Sequence, residues 1–293
     1  MNLSSDIKNR IDILKREYDS LKQNKDSLLD IIFEAELPES VSNSNAIEGS
    51  TLSIAETEKI LLELEISREV SVREVFEAKN LARVFEYIKS KISTKNIDKE
   101  WILFLHKMLM TNIGDDIAGR FRKQYEYVRV GTHIAPAPEV IEAMINALLL
   151  EYSSNNNEHF LEKISRFHLE FENIHPFNDG NGRIGRVLMN YQLMQNGFPP
   201  IIIRDKEKQT YYNSFQEYRN SNKKKSSLLN RVLGLGLMES LHKRIAYLDS
   251  KKIVPLADYA KNCGEKNSIL LNKAKRQTIP AFREKGVWKI GIN

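Results

Sequence analysis

Residues 175–186 read HPFNDGNGRIGR, and no single regular element can hold them. Pro176 disfavours helical geometry at His175, so the helical pattern RFHLEFENI stops there. Apolar helical spacing resumes at Ile184, Val187, Leu188 and Tyr191 and ends at Gly197, with Pro199 and Pro200 beyond. The chain must therefore run helix, loop from Phe177 to Gly182, helix. Backbone N–H groups at the start of a helix lack intrahelical partners and carry the positive end of its dipole, and glycines let an anion approach the chain. Gly180-Asn181-Gly182 is accordingly an anion cradle. Arg183 and Arg186, three apart, are expected to share a face and add forked hydrogen bonds to phosphate oxygens.

A carboxylate beside phosphates repels them unless a cation lies between. Asp179 thus implies Mg²⁺ or a similar hard ion, held by one carboxylate, phosphate oxygens and water. His175 is the group able to accept a proton near neutral pH, which suits a general base for an attacking hydroxyl. Taken singly, a histidine before proline, a GNG turn and two arginines are ordinary structural or surface features. Their conjunction reads as transfer of a nucleotide or phosphoryl group. Phe177 and His168 carry no chemistry in this reading and are expected to anchor the core.

Elsewhere the pattern is helical. Ile7, Ile11, Leu14, Tyr18, Leu21, Leu28 and Ile32 recur at spacings that place them on one stripe of a long helix. The stripe docks on the chain's own core or, alternatively, in a coiled-coil homodimer. Ser53 and Glu56 form a capping box opening a helix through Ile60, Leu61 and Leu64. Further helical patterns cover about 71–92, 98–112, 138–152 and 159–174. The exception is YEYVRVGTHIAPAP, 125–138, which reads as a short β-hairpin. Ser44 and Glu48 lie four apart before Gly49, a good C-terminal residue, and indicate a short helix. The Ser/Lys run 221–227 reads as a loop with solvated lysines.

From Pro255 the chain reads helix, a turn at Gly264, a lysine-rich helix and a two-stranded ribbon turning near Gly286. This is a small winged-helix-like unit. Lys266, Lys273, Lys275, Arg276, Arg283, Lys285 and Lys289 would give it a basic face. That face is either a DNA-binding surface with the second helix in the major groove, or a solvated face of a module packed on the rest of the chain.

Forty-four basic and thirty-nine acidic residues leave a net charge of +5 over 293 residues, a mild excess that suits an anionic ligand but does not mark a nucleic-acid binder. The single cysteine, Cys263, excludes an intrachain disulfide and fits a reducing compartment. MNLSSDIKNR lacks the order of a signal peptide, and no apolar run approaches the roughly 20 residues that span a bilayer. A cytoplasmic protein without membrane attachment is expected.

The stretch His175 to Arg186 resembles the Fic motif HxFx[DE]GNGRxxR at every position. The resemblance implies an all-α Fic helical bundle that transfers AMP from MgATP to a Ser, Thr or Tyr hydroxyl of a target protein or of itself. In that scheme His175 deprotonates the hydroxyl, Asp179 holds Mg²⁺, Asn181 and the amides of Gly180 and Gly182 bind the α-phosphate, and Arg183 and Arg186 bind phosphates. Related Doc proteins phosphorylate instead, and carry Lys where this chain has Gly182. The hairpin falls where the family keeps a flap that pairs with the target, with Val130, Gly131, Thr132 and His133 nearest the nucleotide. Tyr211 matches a position lining the adenine pocket, though an ordinary core aromatic reads the same way.

Ser44-Asn-Ala-Ile-Glu48-Gly49 is also similar to the family's inhibitory motif [ST]xxxE[GN]. It implies that Glu48 pairs with Arg186 and excludes the productive γ-phosphate position. The same glutamate could position water for removing AMP, and a DNA-associated regulator that modifies itself is a further alternative. The expected division is an N-terminal helical region 1–100 with the inhibitory helix near 43–49, a catalytic core 101–248 and a C-terminal module 249–293.

Overall fold

The computed structural model describes residues 3–64, 68–93, 95–154, 158–222 and 224–292; Lys223 of the Ser/Lys run lies outside them. The protein is mostly helical. Its helices are α1 (Ser5–Leu21), α2 (Asp26–Ile47), α3 (Ile54–Leu61), α4 (Val72–Ser90), α5 (Lys99–Met110), α6 (Ile141–Ser154), α7 (Phe160–Ile174), α8 (Asn181–Gln195), α9 (Lys208–Asn220), α10 (Ser227–Leu248), α11 (Leu256–Cys263) and α12 (Asn267–Lys275). Strands β1 (Arg129–Val130) and β2 (His133–Ile134) form one antiparallel pair, and β3 (Lys252–Pro255), β4 (Ala281–Glu284) and β5 (Val287–Ile292) a second sheet in the order β3-β5-β4.

Local chemistry sets the boundaries. Ser4, Ser53, Ser71 and Asp98 each accept a backbone N–H of the first turn they open, and Ser53 and Glu56 satisfy each other's main chain as a capping box. The α3 helix stops at Leu61, short of the exposed Leu64. The apolar stripe expected on one long helix is divided between α1 and α2, because the chain turns at Asn24, which has φ 59°. Ser44 to Gly49 likewise do not form a helix of their own. They close the 22-residue α2, which passes through Pro38, has Glu48 as its C-cap and ends against Gly49 at φ 102°. The hairpin contracts to two residues per strand around Gly131.

Two apolar cores flank the α7–α8 pair. One gathers Val41, Leu81, Ile102, Leu105, Phe171, Phe177 and Ile184; the other gathers Ile11, Ile164, Leu169, Met189, Leu193, Leu233 and Leu241. The α1 stripe belongs to the second core, where Ile7 and Ile11 pack over Gly234 of α10. Because α8 is buried on almost every side, its N-terminus is held from both cores at once.

The C-terminal unit has its own small core of Leu256, Ala260, Leu270, Ala274, Ala281 and Ile290. Lys285 and Gly286, both at positive φ, turn β4 into β5 as a type I′ hairpin requires. A buried ion network ties this unit to α2 and α10. Glu36 Oε2 lies 2.6 Å from Arg244, and Glu36 Oε1 lies 3.1 Å from Lys243, which also reaches Glu284 at 3.2 Å. Glu39 accepts the Lys285 N–H at 2.8 Å and stands 3.3 Å from Arg204, which bridges to Glu239 and so to Arg283. Four of the seven cations expected on the basic face are engaged in ion pairs. Lys273 pairs with Glu265, Arg283 with Glu207 and Glu239, Lys285 with Glu58 and Lys289 with Glu284.

Candidate active site

Helix α7 ends at His175, whose φ of 50° turns the chain out of the helix, and α8 begins after Gly180 at φ 82°. The loop between them is pinned from below. Phe177 is fully buried and stacks on His106, ring centroids 3.7 Å apart and planes 2° from parallel. His106 accepts the Gly119 N–H on Nδ1 at 3.0 Å, so it carries its proton on Nε2 and donates to the Asp179 carbonyl at 3.0 Å. Burial pushes its pKa down to about 4, which keeps that tautomer neutral. Asn181 closes the loop: its Oδ1 accepts the Phe177 N–H and its Nδ2 donates to the Phe177 carbonyl, both at 2.8 Å. The side-chain amide expected on the α-phosphate is thus engaged with the main chain through both its oxygen and its nitrogen.

The arginines also differ from the expected shared face. Arg183 reaches Glu77 at 3.1 Å and Asp179 at 2.9 Å, and Arg73 completes the ring from the other side at 3.0 Å and 2.5 Å. Arg186 turns instead toward α2. Its Nε donates to Ser44 Oγ at 2.9 Å, and one terminal nitrogen donates to the Ser44 carbonyl and to Glu48 Oε1, each at 2.8 Å. Glu48 Oε1 lies so close over Gly182 that a β-carbon there would stand 2.1 Å from it. Any side chain at 182 would collide with the carboxylate.

These groups converge on a cavity of about 340 Å³. Glu48, Gly182 and Arg186 form one wall, His175 and Glu172 come from α7, Tyr211, Tyr212 and Phe215 from α9, and Val130, Gly131 and Thr132 from the hairpin tip. Asp179, Gly180, Asn181, Arg183, Ser44 and Gly49 are not part of this lining. His133 bonds the Asn173 carbonyl at 2.9 Å rather than facing the cavity. Tyr211 both lines the cavity and belongs to the core, with its hydroxyl 2.7 Å from His168 Nε2.

The electrostatics suit proton transfer beside an anion. Burial, reinforced by the Arg122 charge, pushes His175 down to about 4, so its imidazole is neutral at pH 7 and free to accept a proton, though weakly basic in the empty site. Burial pushes the Asp179 carboxyl up, but Arg183, the Gly180 N–H and Arg73 outweigh it and hold the group ionised. Among the described residues no cluster of three or more His, Cys, Asp or Glu could hold a metal ion. A cation at Asp179 would depend on ligand oxygens.

Several site residues escape sequence reasoning. Arg122, buried, donates to the His175, Glu126 and Pro136 carbonyls at 2.9 Å each and so fastens loop and hairpin together. Arg73 and Glu77 complete the Asp179 ring from α4. Nothing local marks any of the three. Glu172 carried a positional signal, a carboxyl one helical turn before His175 and one turn after His168.

Residues 96–193 match the Fic/DOC family. This segment is a Fic/DOC domain. The chain is 35% identical over 176 residues to a protein adenylyltransferase Fic of Nematostella vectensis, covering 59% of this chain and 41% of that protein. The chain thus spans less than half the length of that relative. Around the Fic/DOC domain the fold is similar to a Fic domain containing signaling protein from Bacteroides thetaiotaomicron, with TM-score 0.74 and 25% identity over 83% of this chain and 98% of that one. A Fic family protein from Desulfovibrio desulfuricans shares the fold over 97% of this chain and 96% of its own, with TM-score 0.65 and 19% identity. No helix among the described residues is long and apolar enough to cross a membrane.

Proposed function

We propose that this protein transfers AMP from ATP to a hydroxyl of a protein, and that it is held inactive by its own Glu48. The observation that carries the reading is the convergence of His175, Gly182, Arg186 and Glu48 on one cavity at the N-terminus of α8. The relatives named as adenylyltransferases support the same class of chemistry.

The residues act as follows. The free N–H groups at the start of α8 and the Arg186 guanidinium bind phosphate oxygens. His175, neutral at pH 7, takes the proton of the attacking hydroxyl, and the negative charge of the nucleotide raises its basicity from the low value of the empty site. Asp179 fits a divalent cation, because it stays ionised and one of its two guanidinium partners, Arg73, is exposed enough to swing away. Mg²⁺ held there would neutralise phosphate charge at the reacting phosphorus. Val130 to Thr132, at the tip of the β1–β2 hairpin, offer backbone to a docking protein segment.

Inhibition follows from occupancy. Glu48 Oε1 sits on Arg186 and over Gly182, where a phosphate would have to lie. The division at residues 100 and 248 belongs to the same proposal: α1 to α4 carry the inhibitory segment, the middle carries the chemistry, and the C-terminal unit packs on both.

The test is transfer of label from α-labelled ATP to protein by the wild type, Glu48→Gly and Glu48→Gly with His175→Ala. Label should appear with Glu48→Gly and vanish in the double variant. Label in none of them, with ATP binding intact, would sink AMP transfer and favour AMP removal by the same site.

A further inference from the structure

One polar group in the cavity has no part in that scheme. Glu172 lines the cavity from α7, and its Oε1 is sealed from solvent without a hydrogen-bond partner. His168 Nδ1, one turn earlier, is sealed and unpartnered in the same way. Both crowd the Cα of Gly185, where a β-carbon would stand 2.6 Å from Glu172 Oε1 and 3.2 Å from His168 Nδ1. The site leaves the carboxyl room only because residue 185 is glycine.

The surroundings decide its protonation. Glu48 faces it from the end of α2, Arg186 from α8 and Arg219 from α9, while His168 and His175 flank it on its own helix. Burial and then the Glu48 charge push Glu172 up to about 8, against the opposing pull of Arg186 and Arg219. His168 is neutral, its pKa pushed down to about 3 by burial and by Arg186. A buried carboxylate facing a polyanion would repel it, whereas the acid form carries an O–H that can be donated.

We propose that Glu172 is a further nucleotide-contacting residue, kept as a carboxylic acid that donates its O–H to the bound nucleotide, so that ATP binding is linked to retention of that proton. The inference rests on the reading of the cavity as an ATP site. It adds a residue, and a proton, that the transfer mechanism alone does not require.

The experiment uses the full chain carrying Glu48→Gly and His175→Ala, which binds without reacting, and measures ATP affinity by calorimetry from pH 6.5 to 9 in two buffers of different ionisation enthalpy. Loss of the Glu48 carboxylate removes one group that raises Glu172, so its titration starts below about 8 in this background. The nucleotide's charge acts in the opposite direction. ATP binding near pH 8 should therefore take up a substantial fraction of one proton, and affinity should fall by up to about tenfold per pH unit above the free carboxyl's titration. Adding Glu172→Gln, which keeps a donor but cannot ionise, should abolish the uptake and flatten the profile. Glu172→Ala should be flat as well, and weaker at pH 7. Protonation of ATP itself is common to all variants and cancels in the comparison.

Equal proton uptake before and after the Glu172→Gln substitution, with the same pH slope, would overturn the inference while leaving the ATP site standing. So would melting temperatures that move with each substitution while ATP affinity does not, the signature of a purely structural acid. Failure of every folded variant to bind ATP would overturn both this inference and the reading beneath it.

Discussion

Gly182 is constrained by its neighbour more than by its own backbone. With Glu48 Oε1 2.1 Å from where a β-carbon would stand, Gly182→Ala cannot coexist with the present position of the carboxylate. The substitution should push Glu48 off Arg186 and loosen the end of α2, where the Glu48, Gly49 and Ser50 N–H groups bond back to Asn45 and Ala46. Hydrogen exchange at those three amides should speed up, and unchanged exchange would show that the contact is not what seats Glu48. Protonation tells a second residue-scale story. His106, His168 and His242 are held neutral by burial, at about 4, 3 and 4, whereas in an unfolded chain each titrates near 6.5. Folded values below unfolded ones mean that the unfolded state binds more protons, so stability is complete above pH 6.5 and declines as pH falls toward 4. The urea midpoint should drop steadily across that window. A flat midpoint would mean that these imidazoles are not buried as neutral groups.

At the scale of elements, the α7–α8 connection is the feature most legible in the sequence. Pro176 marked the end of one helix and the two glycines the start of the next, and these are local rules that tertiary packing did not override. Asn181 shows the limit. Its residue type fits an anion cradle, but the direction of its amide depends on the shape of a loop that its own hydrogen bonds create. Asn181→Ala would leave the buried N–H and carbonyl of Phe177 unpaired, at a cost of about 1–3 kcal/mol each. We expect a matching loss in denaturant-measured stability, whereas a neutral result would mean that water or a main-chain shift replaces the amide. The long α2 was legible only in pieces: its start read as the end of one long stripe through Ile32 and its end as a separate short helix before Gly49, whereas the chain runs helically between them, through Pro38.

Across the whole molecule, the region least legible in the sequence is the basic C-terminal face. Its acidic partners Glu58, Glu207 and Glu239 lie 227, 76 and 44 residues away along the chain, beyond the reach of any local pattern. The same network makes a stability prediction. Arg244→Met leaves Glu36 with Lys243 alone in a buried setting and should cost about 3–5 kcal/mol, whereas replacing Glu36 and Arg244 together by apolar residues should cost much less. Equal losses in the single and double variants would remove the pairing as the cause. Glu39 adds a consequence in time. Its bond to the Lys285 N–H spans 246 residues, an interval that a ribosome adding about 5–20 residues per second covers in roughly 12–50 s. During synthesis α2 therefore waits for the β4–β5 hairpin to emerge before its buried carboxylates are fully partnered, so the helix capped by Glu48 settles into place only after residues 175–186 have already been translated.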